Sequence, residues 1–325
     1  MKLARRKFLH LAAGAVGLPA FSRVAKAQAY PSRPVRIVVG FGPAGVTDIT
    51  ARVIAQWLSE RLGRPFVVEN RPGAGSNIGT EAVVRSPPDG YTLLMATLPN
   101  ATNATLYEKL NFDFIRDIVP IASVNTTPCV MVVTPTFPAR TAAEFIAYAK
   151  TNPGKINMAA VGVGSATHLL GELFKMMAGV DIVTLQYRDP GPAHTDLISG
   201  KVDIMFDPLV SSIEQIRAGQ LRPLAVTTMA RLEVLPDLPT VGDFVPGYQA
   251  SVWQGLGAPR NTPAAIIDKL NQEVNAALAD PKVKARFADL GATVLPGAPS
   301  DFRKLIADES EKWGKVIRAA NIKAE

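Results

Sequence analysis

The sequence predicts an α/β protein of two domains, and three observations carry that expectation. Short β-branched runs alternate with amphipathic segments, as strand-helix-strand units around largely parallel sheets require. The 325 residues are 47% hydrophobic and 19% charged, enough for two cores and too apolar for a disordered or coiled-coil chain. The alternation also lapses after Thr97 and restarts near Val130, with neither a Gly/Ser-rich linker nor an internal repeat between, so ordered crossings join the two units.

The first unit opens with a strand over Arg36–Phe41, then a Gly/Pro turn and a helix from Asp48. Ile49, Val53, Ile54, Trp57, Leu58 and Leu62 form one apolar face of that helix, and Gly63 stops it. Phe66–Glu69 is the next strand, a Gly-rich loop leads into a short helix ending at Arg85, and Tyr91–Thr97 is the third strand. In the second unit Val130–Val133 is a strand leaving the first. Helices at Ala142–Lys150, Ala166–Ala178, Ala193–Ser199 and Ser211–Ala218 then alternate with strands at Ile156–Val161, Ile182–Tyr187, Val202–Phe206 and Leu224–Thr227. The tail adds a strand near Trp253–Leu256, two helices across Ala264–Leu290 and a long helix from Asp301, whose Phe302, Leu305, Ile306 and Trp313 face a core. This tail reads as the chain returning to complete the first domain. The expected division is residues 30–128 with 250–325 in domain 1, and 129–249 in domain 2.

The formal charge of +7 raises nucleic acid as a partner, but its distribution removes that reading. Lys2, Arg5, Arg6, Lys7, Arg23 and Lys26 lie in the first 29 residues with no acid among them; without these six the chain has 29 bases against 28 acids. Residues 1–29 read as an export signal: a basic start, an apolar run from Leu9 to Leu18, and small-residue cleavage sites at Ala25-Lys26-Ala27 and Ala27-Gln28-Ala29. Arg5-Arg6-Lys7-Phe8-Leu9 resembles the twin-arginine pattern. No later stretch reaches the roughly 20 apolar residues of a membrane helix, so the mature chain is expected to be soluble in the periplasm. The lone Cys129 can form no internal disulfide and reads as a small buried hydrophobe.

Chemistry is expected where Gly-rich turns meet helix starts, because free N–H groups there hold anions without any charged side chain. Three turns qualify: Phe41-Gly42-Pro43-Ala44-Gly45-Val46-Thr47-Asp48, Arg71-Pro72-Gly73-Ala74-Gly75-Ser76-Asn77, and Val161-Gly162-Val163-Gly164-Ser165-Ala166-Thr167-His168. For any one loop, ordinary capping by Thr47, Ser76 or Ser165 is the competing reading. Gly loops on both domains favour a shared anion in an interdomain cleft. No Walker A sequence, HExxH or Gly-x-Ser-x-Gly elbow is present, and Gly73-Ala74-Gly75 departs from the dinucleotide fingerprint. Only His168 and His194 remain after signal removal, without ligand-like spacing, so no metal and no cofactor are expected. Ser165 and His168, taken as nucleophile and base, would make a hydrolase; a cap and a helix-face residue is the preferred reading.

At these loops the chain resembles the Bug-type receptors, the substrate-binding subunits of tripartite tricarboxylate transporters. The likeness runs from Tyr30 to the C-terminus. It is carried by Tyr30-Pro-Ser-Arg-Pro-Val-Arg-Ile-Val-Val, Asp48 with Ala51-Arg52, Val67-Val68-Glu69-Asn70-Arg71-Pro72-Gly73-Ala74-Gly75 and Pro88-Asp89-Gly90-Tyr91-Thr92-Leu93. Gly164-Ser165 with His168-Leu169, Gly171-Glu172-Leu173-Phe174, Thr195-Asp196-Leu197, Leu235-Pro236-Asp237-Leu238-Pro239-Thr240 and Trp253-Gln254-Gly255 extend it.

The resemblance implies a two-domain flytrap fold of the periplasmic-binding-protein kind, each domain a mixed, mostly parallel sheet flanked by helices. It implies a monomeric, non-enzymatic receptor that closes on a small carboxylate and delivers it to membrane transporter subunits; a ligand sensor reporting to a signalling protein is the alternative. Main-chain groups and waters are expected to hold the carboxylate. The residues carried over are Phe41, Gly42, Pro43, Ala44, Gly45, Thr47 and Asp48 in the first loop, Gly75 and Ser76 in the second, and Gly164, Ser165, Thr167 and His168 in the clamp of the second domain. Thr97, Tyr187 and Asp207 at strand ends would line the cleft. Ala44-Gly45 departs from the family's Gly-Gly, adding a methyl where ligand or water approaches. Asp189, beside Arg188, replaces a frequent Gly and reads as solvated; facing the cleft it would disfavour a second carboxylate. Asp207 is open between pocket acceptor and helix N-cap.

Overall fold

The computed structural model describes residues 30–43 and 45–324. Residues 1–29, where an export signal with a twin-arginine pattern is expected, lie outside the described residues, as do Ala44 and Glu325. Helices and strands alternate as expected. Strands β1 (Val35–Val39), β2 (Phe66–Asn70) and β3 (Thr92–Thr97) pair in parallel in the order β2-β1-β3. Helices α1 (Val46–Leu62) and α2 (Asn77–Val84) make the crossovers, as parallel neighbours require. Helix α1 begins two residues before its expected start, with Gly45 as N-cap, and ends at Gly63 in the left-handed conformation at φ 67°.

The 98–128 stretch, expected to be irregular, is mostly regular. It holds α3 (Leu98–Leu106), α4 (Phe114–Asp117) and most of β4 (Ile118–Val133), a 16-residue strand. Pro120, Pro128 and the Asn125-Thr126-Thr127 run are loop signals in sequence. Burial overrides them, because all but two of the residues of β4 are buried. Register shifts between Pro120 and Ala122 and between Ser123 and Asn125 break the regular ladder, the first of them at Pro120, which has no N–H to give it; Pro128 stands where β4 passes from one sheet to the other.

Strand β4 is the spine of the molecule. From Ile118 to Pro128 it pairs antiparallel with β9 (Ser251–Pro259), which continues the first sheet beside β3. From Cys129 to Val133 it pairs instead with β7 (Ile204–Pro208) and β8 (Arg222–Val226) of a second sheet. There β5 (Asn157–Val161) joins β7 and β6 (Val183–Tyr187) in parallel. A short β10 (Thr293–Val294) closes the far side of β4. The sheets are therefore parallel at their outer strands and antiparallel around β4 and β9.

Helices α5 (Ala142–Thr151), α6 (Ala166–Ala178), α7 (Pro190–Ser199) and α8 (Leu209–Arg217) flank the second sheet. Helices α9 (Ala264–Ala279), α10 (Pro281–Asp289) and α11 (Pro299–Ala319) belong to the returning tail. Phe145, Phe174, Phe206 and Tyr248 stack through the second lobe with ring centroids 5.3 to 6.4 Å apart. Helix α11 serves two cores: Phe302 and Ile306 pack with Trp253 and Leu94 in the first lobe, while Trp313, Val316 and Ile317 join the aromatic cluster of the second. Cys129 is buried beneath, and burial pushes its thiol pKa up, leaving an inert hydrophobe as expected.

Candidate functional site

Four helix N-termini converge on one cavity of about 150 Å³ between the lobes. Val46 and Thr47 come from α1, Thr97 and Pro99 from α3, Ser165 and Ala166 from α6, and Pro208 precedes α8. Phe41 forms one wall, and Thr127, Val252 and Gln254 of the β4/β9 ladder form the floor. A second cavity of about 360 Å³ shares Phe41, Pro99 and Ser165 and runs past Gly75, Asn103, Tyr107 and Val161 to Gly164. None of the described residues lining either cavity carries a charged side chain. The positive ends of the helices supply the field instead, each favouring an anion by about 0.3–1 kcal/mol when exposed and up to about 2 kcal/mol when partly buried.

Each terminus is held by its own polar network. The Asp48 carboxylate accepts from Arg52 Nε at 2.8 Å, Arg52 Nη2 at 3.0 Å and Asn70 Nδ2 at 2.9 Å. Asn70 Nδ2 also donates to the Phe41 carbonyl at 3.0 Å, so one amide ties the first loop to the start of α1. Asn100 Oδ1 accepts from the Thr97 N–H at 2.8 Å, while its Nδ2 donates to Ser76 Oγ and Thr80 Oγ1 at 3.2 and 2.7 Å. Ser76 itself is wedged under Gly40, where a Cβ would come within 1.9 Å of its Oγ.

At α6, Ser165 Oγ accepts from the His168 N–H at 3.4 Å and pairs with Thr167 Oγ1 at 2.9 Å. Thr167 Oγ1 accepts from the Val161 N–H at 2.8 Å, and His168 Nδ1 accepts from the Gly164 N–H at 3.1 Å. Gly164 thus spends its donor inside the loop, not on a ligand. Accepting at Nδ1 leaves the proton on Nε2, 3.8 Å from Glu172, and burial holds the imidazole pKa down, so the ring is neutral. Ser165 and His168 meet through the helix cap and not through the imidazole, which is the cap and helix-face arrangement preferred from sequence.

Of the residues singled out from sequence, Phe41, Thr47, Gly75, Thr97, Gly164 and Ser165 line the cavities. Gly42, Pro43 and Gly45 lie exposed in the first loop, and Asp48, Ser76, Thr167 and His168 stand one layer behind, holding the loops in place. Tyr187 donates to Asp196 at 2.9 Å. Asp207 is neither helix cap nor cavity lining: buried, it bonds His194 Nε2 at 2.9 Å and accepts from Ser212 Oγ. Arg188 and Asp189 are exposed. Helix α3 and the floor residues Thr127 and Val252 have no counterpart in the sequence reading; Gln254 enters it only within Trp253-Gln254-Gly255, and α8 starts two residues before the expected helix, for which Asp207 was open as N-cap. Proline just after a strand end, as in Thr97-Leu98-Pro99 and Asp207-Pro208-Leu209, was the available signal for the two helix starts.

The His194 and Asp207 contact makes a pH prediction. The hydrogen bond to Asp207 raises the imidazole pKa against the opposing effect of burial. A raised folded-state value means the pair stabilises the fold fully below the unfolded pKa of about 6.5 and loses that contribution as pH climbs through the folded value. In urea titrations His194→Gln should cost about 1 kcal/mol at pH 5.5 and less at pH 8.5. A cost that grows with pH would reverse the assignment.

A two-lobed α/β fold joined by a shared strand, with helix termini facing an interlobe cleft, defines the class of periplasmic binding proteins. Comparison with known proteins places the chain within that class. Residues 50–322 match the family described as "Tripartite tricarboxylate transporter family receptor", and the chain belongs to that family. BugT of Bordetella pertussis is 38% identical over 300 residues, 91% of this chain and 92% of BugT. The solved structure of R. palustris Rpa4515 with adipate superposes with a TM-score of 0.82 at 36% identity, covering 90% of this chain and 99% of that one. Periplasmic binding protein BugD superposes at 0.78 with 35% identity, covering 91% and 100%. Among the described residues, no helix is long and apolar enough to cross a membrane.

Proposed function

We propose that the protein is a non-enzymatic, monomeric periplasmic receptor that closes its two lobes on a small carboxylate and delivers it to a tripartite tricarboxylate-type membrane transporter. The observation that carries this reading is the convergence of the α1, α3, α6 and α8 N-termini on one cavity without a charged side chain in its lining. Adipate in the Rpa4515 structure supports the carboxylate class. The ligand contacts are Phe41, Thr47, Thr97, Gly164 and Ser165 with Gly75 on the adjoining side, while Asp48, Thr167 and His168 position them. The domains divide as 30–128 with 250–325 against 129–249. In support of this, β4 exchanges partners between Pro128 and Cys129, and β9 begins at Ser251.

Calorimetric titration of the mature protein against short-chain carboxylates tests the reading, with small-angle scattering on the same samples. Saturating ligand should raise the unfolding temperature and shrink the radius of gyration, because a ligand touching both lobes favours the closed state by its differential affinity. Absence of binding to every carboxylate at millimolar concentration would refute the carboxylate reading. Export is checked separately: with Arg5 and Arg6 both replaced by Lys, precursor should accumulate in the cytoplasm. Undiminished periplasmic yield would assign the leader to the general secretory route.

A further inference from the structure

The floor of the cavity between the lobes holds two buried polar side chains that have no hydrogen-bond partner. Gln254 is 0% exposed, and neither its Oε1 nor its Nε2 is bonded; Thr127, equally buried, has an unbonded Oγ1. Both line the cavity. They project from neighbouring strands, with Gln254 opposite Thr97 on β3 and Asn125 on β4, and Thr127 opposite Val252 on β9. Asn125, on the same face, is engaged through Nδ2 with Thr50 Oγ1 at 3.1 Å, while its Oδ1 is unbonded and it does not line the cavity. Buried amides and hydroxyls in native folds are paired, so an orphaned pair facing a cavity marks where a ligand group is received.

The chemistry of that group follows from what the pair offers and what the lining lacks. A glutamine amide presents a donor and an acceptor side by side, and a threonine hydroxyl can serve as either. A hydroxyl or a primary amide satisfies all of these atoms. A second carboxylate, which has only acceptors, can take the donors of Gln254 Nε2 and Thr127 but leaves Gln254 Oε1 unsatisfied. Among the described residues no cation lines the cavity to neutralise it. The acids next to the lining in sequence, Asp48 after Thr47 and Asp207 before Pro208, are buried and already paired with Arg52 and His194, so they offer it no counter-charge either. Between the helix termini and the floor the walls are apolar, formed by Phe41, Val46 and Pro99, and suit a short methylene chain.

Resting on the carboxylate-receptor reading, we infer that the ligand is a monocarboxylate whose far end carries an uncharged hydroxyl or amide bound by Gln254 and Thr127. The receptor is thereby built against dicarboxylates, in contrast to the adipate seen with Rpa4515. The test is calorimetric titration of the mature protein with four- and six-carbon series: succinate and adipate, their monoamides, the ω-hydroxy acids, and the plain acids butyrate and hexanoate. The hydroxy acid or monoamide of one series should bind at least tenfold more tightly than its dicarboxylate. Gln254→Leu should reduce that preference below threefold while hexanoate or butyrate binds as well as before or better. Thr127→Val, which keeps shape and removes the hydroxyl, should shift the ranking in the same direction, and it carries the test if Gln254→Leu does not fold. A dicarboxylate bound as tightly as its neutral-ended analogues overturns the inference while leaving the receptor reading intact. An unchanged preference in the folded variants does the same, because the orphaned atoms would then be satisfied by water. Failure of every compound to bind overturns both.

Discussion

Gly164→Ala weakens ligand binding by about 5- to 150-fold while the free protein stays folded. Gly164 sits at φ 72°, and a Cβ there would lie 2.3 Å from Leu106 Cδ2 on α3. Gly164 precedes α6 of the second lobe, and Leu106 reaches into that lobe from α3, buried in the same core cluster as Met131, Phe145 and Phe206. Overpacking of this kind costs about 1–3 kcal/mol; a loop that moves to relieve it carries the cavity-lining Gly164 and Ser165 out of place, and a ligand that needs them in place must restore that cost, which converts to the stated range in affinity. The left-handed backbone adds a further stability cost, because an L side chain rarely adopts it. Adding Leu106→Ala in the same chain should restore most of the lost binding, because it removes the atom that the new methyl meets. Calorimetry on the two single variants and the double variant decides the matter: equal weakening in Gly164→Ala with or without Leu106→Ala would show that the glycine acts through backbone conformation and not through its contact with Leu106.

Phe302→Ala lowers the stability of the first lobe by about 3–5 kcal/mol, the range for removing a fully buried aromatic ring. Phe302 is 1% exposed and packs edge-on against Trp253 with ring centroids 5.6 Å apart and an interplanar angle of 78°. The ring also occupies the space above Gly255, where a Cβ would come within 2.2 Å of Phe302 Cζ. Trp253 and Gly255 flank Gln254 on β9, so the same ring supports the cavity floor from behind. Urea unfolding followed by tryptophan fluorescence measures the loss, and calorimetry should show weaker binding of any ligand that reaches the floor. A loss below about 1 kcal/mol would mean that the lobe collapses around the missing ring.

Much of the molecule was legible in the sequence, and the parts that were not share a cause. Strand and helix identities followed from local periodicity, and the Gly-rich loops followed from turn chemistry, because both signals lie within a few residues of the structure they encode. The 98–128 stretch failed because Pro120, Pro128 and three consecutive polar residues speak locally for a loop, whereas β4 is a strand there by virtue of partners far along the chain, residues 251–259 on one side and 293–294 at Asn125 and Thr126 on the other. Asp207 and His168 attracted attention as polar residues near Gly turns. Their bonds to His194 and Ser212, and to the Gly164 N–H, turn them inward as supports. Gln254 appears in the sequence only within Trp253-Gln254-Gly255 and with no role attached, since an unpaired amide is a property of its surroundings.

The sequence by itself determined the α/β class, the contrast between a basic first 29 residues and a nearly neutral remainder, and the glycines at the starts of α1 and α6. These depend on composition and on neighbours along the chain. Only the tertiary structure decided that α3 and α8 bring their N-termini to the same point, and that Thr127 and Gln254 lie beneath it with their hydrogen bonds unmade. The physical reason is that a helix dipole or a buried amide acquires a role only from what faces it. What faces it here is set by a 16-residue strand that leaves one sheet and enters another.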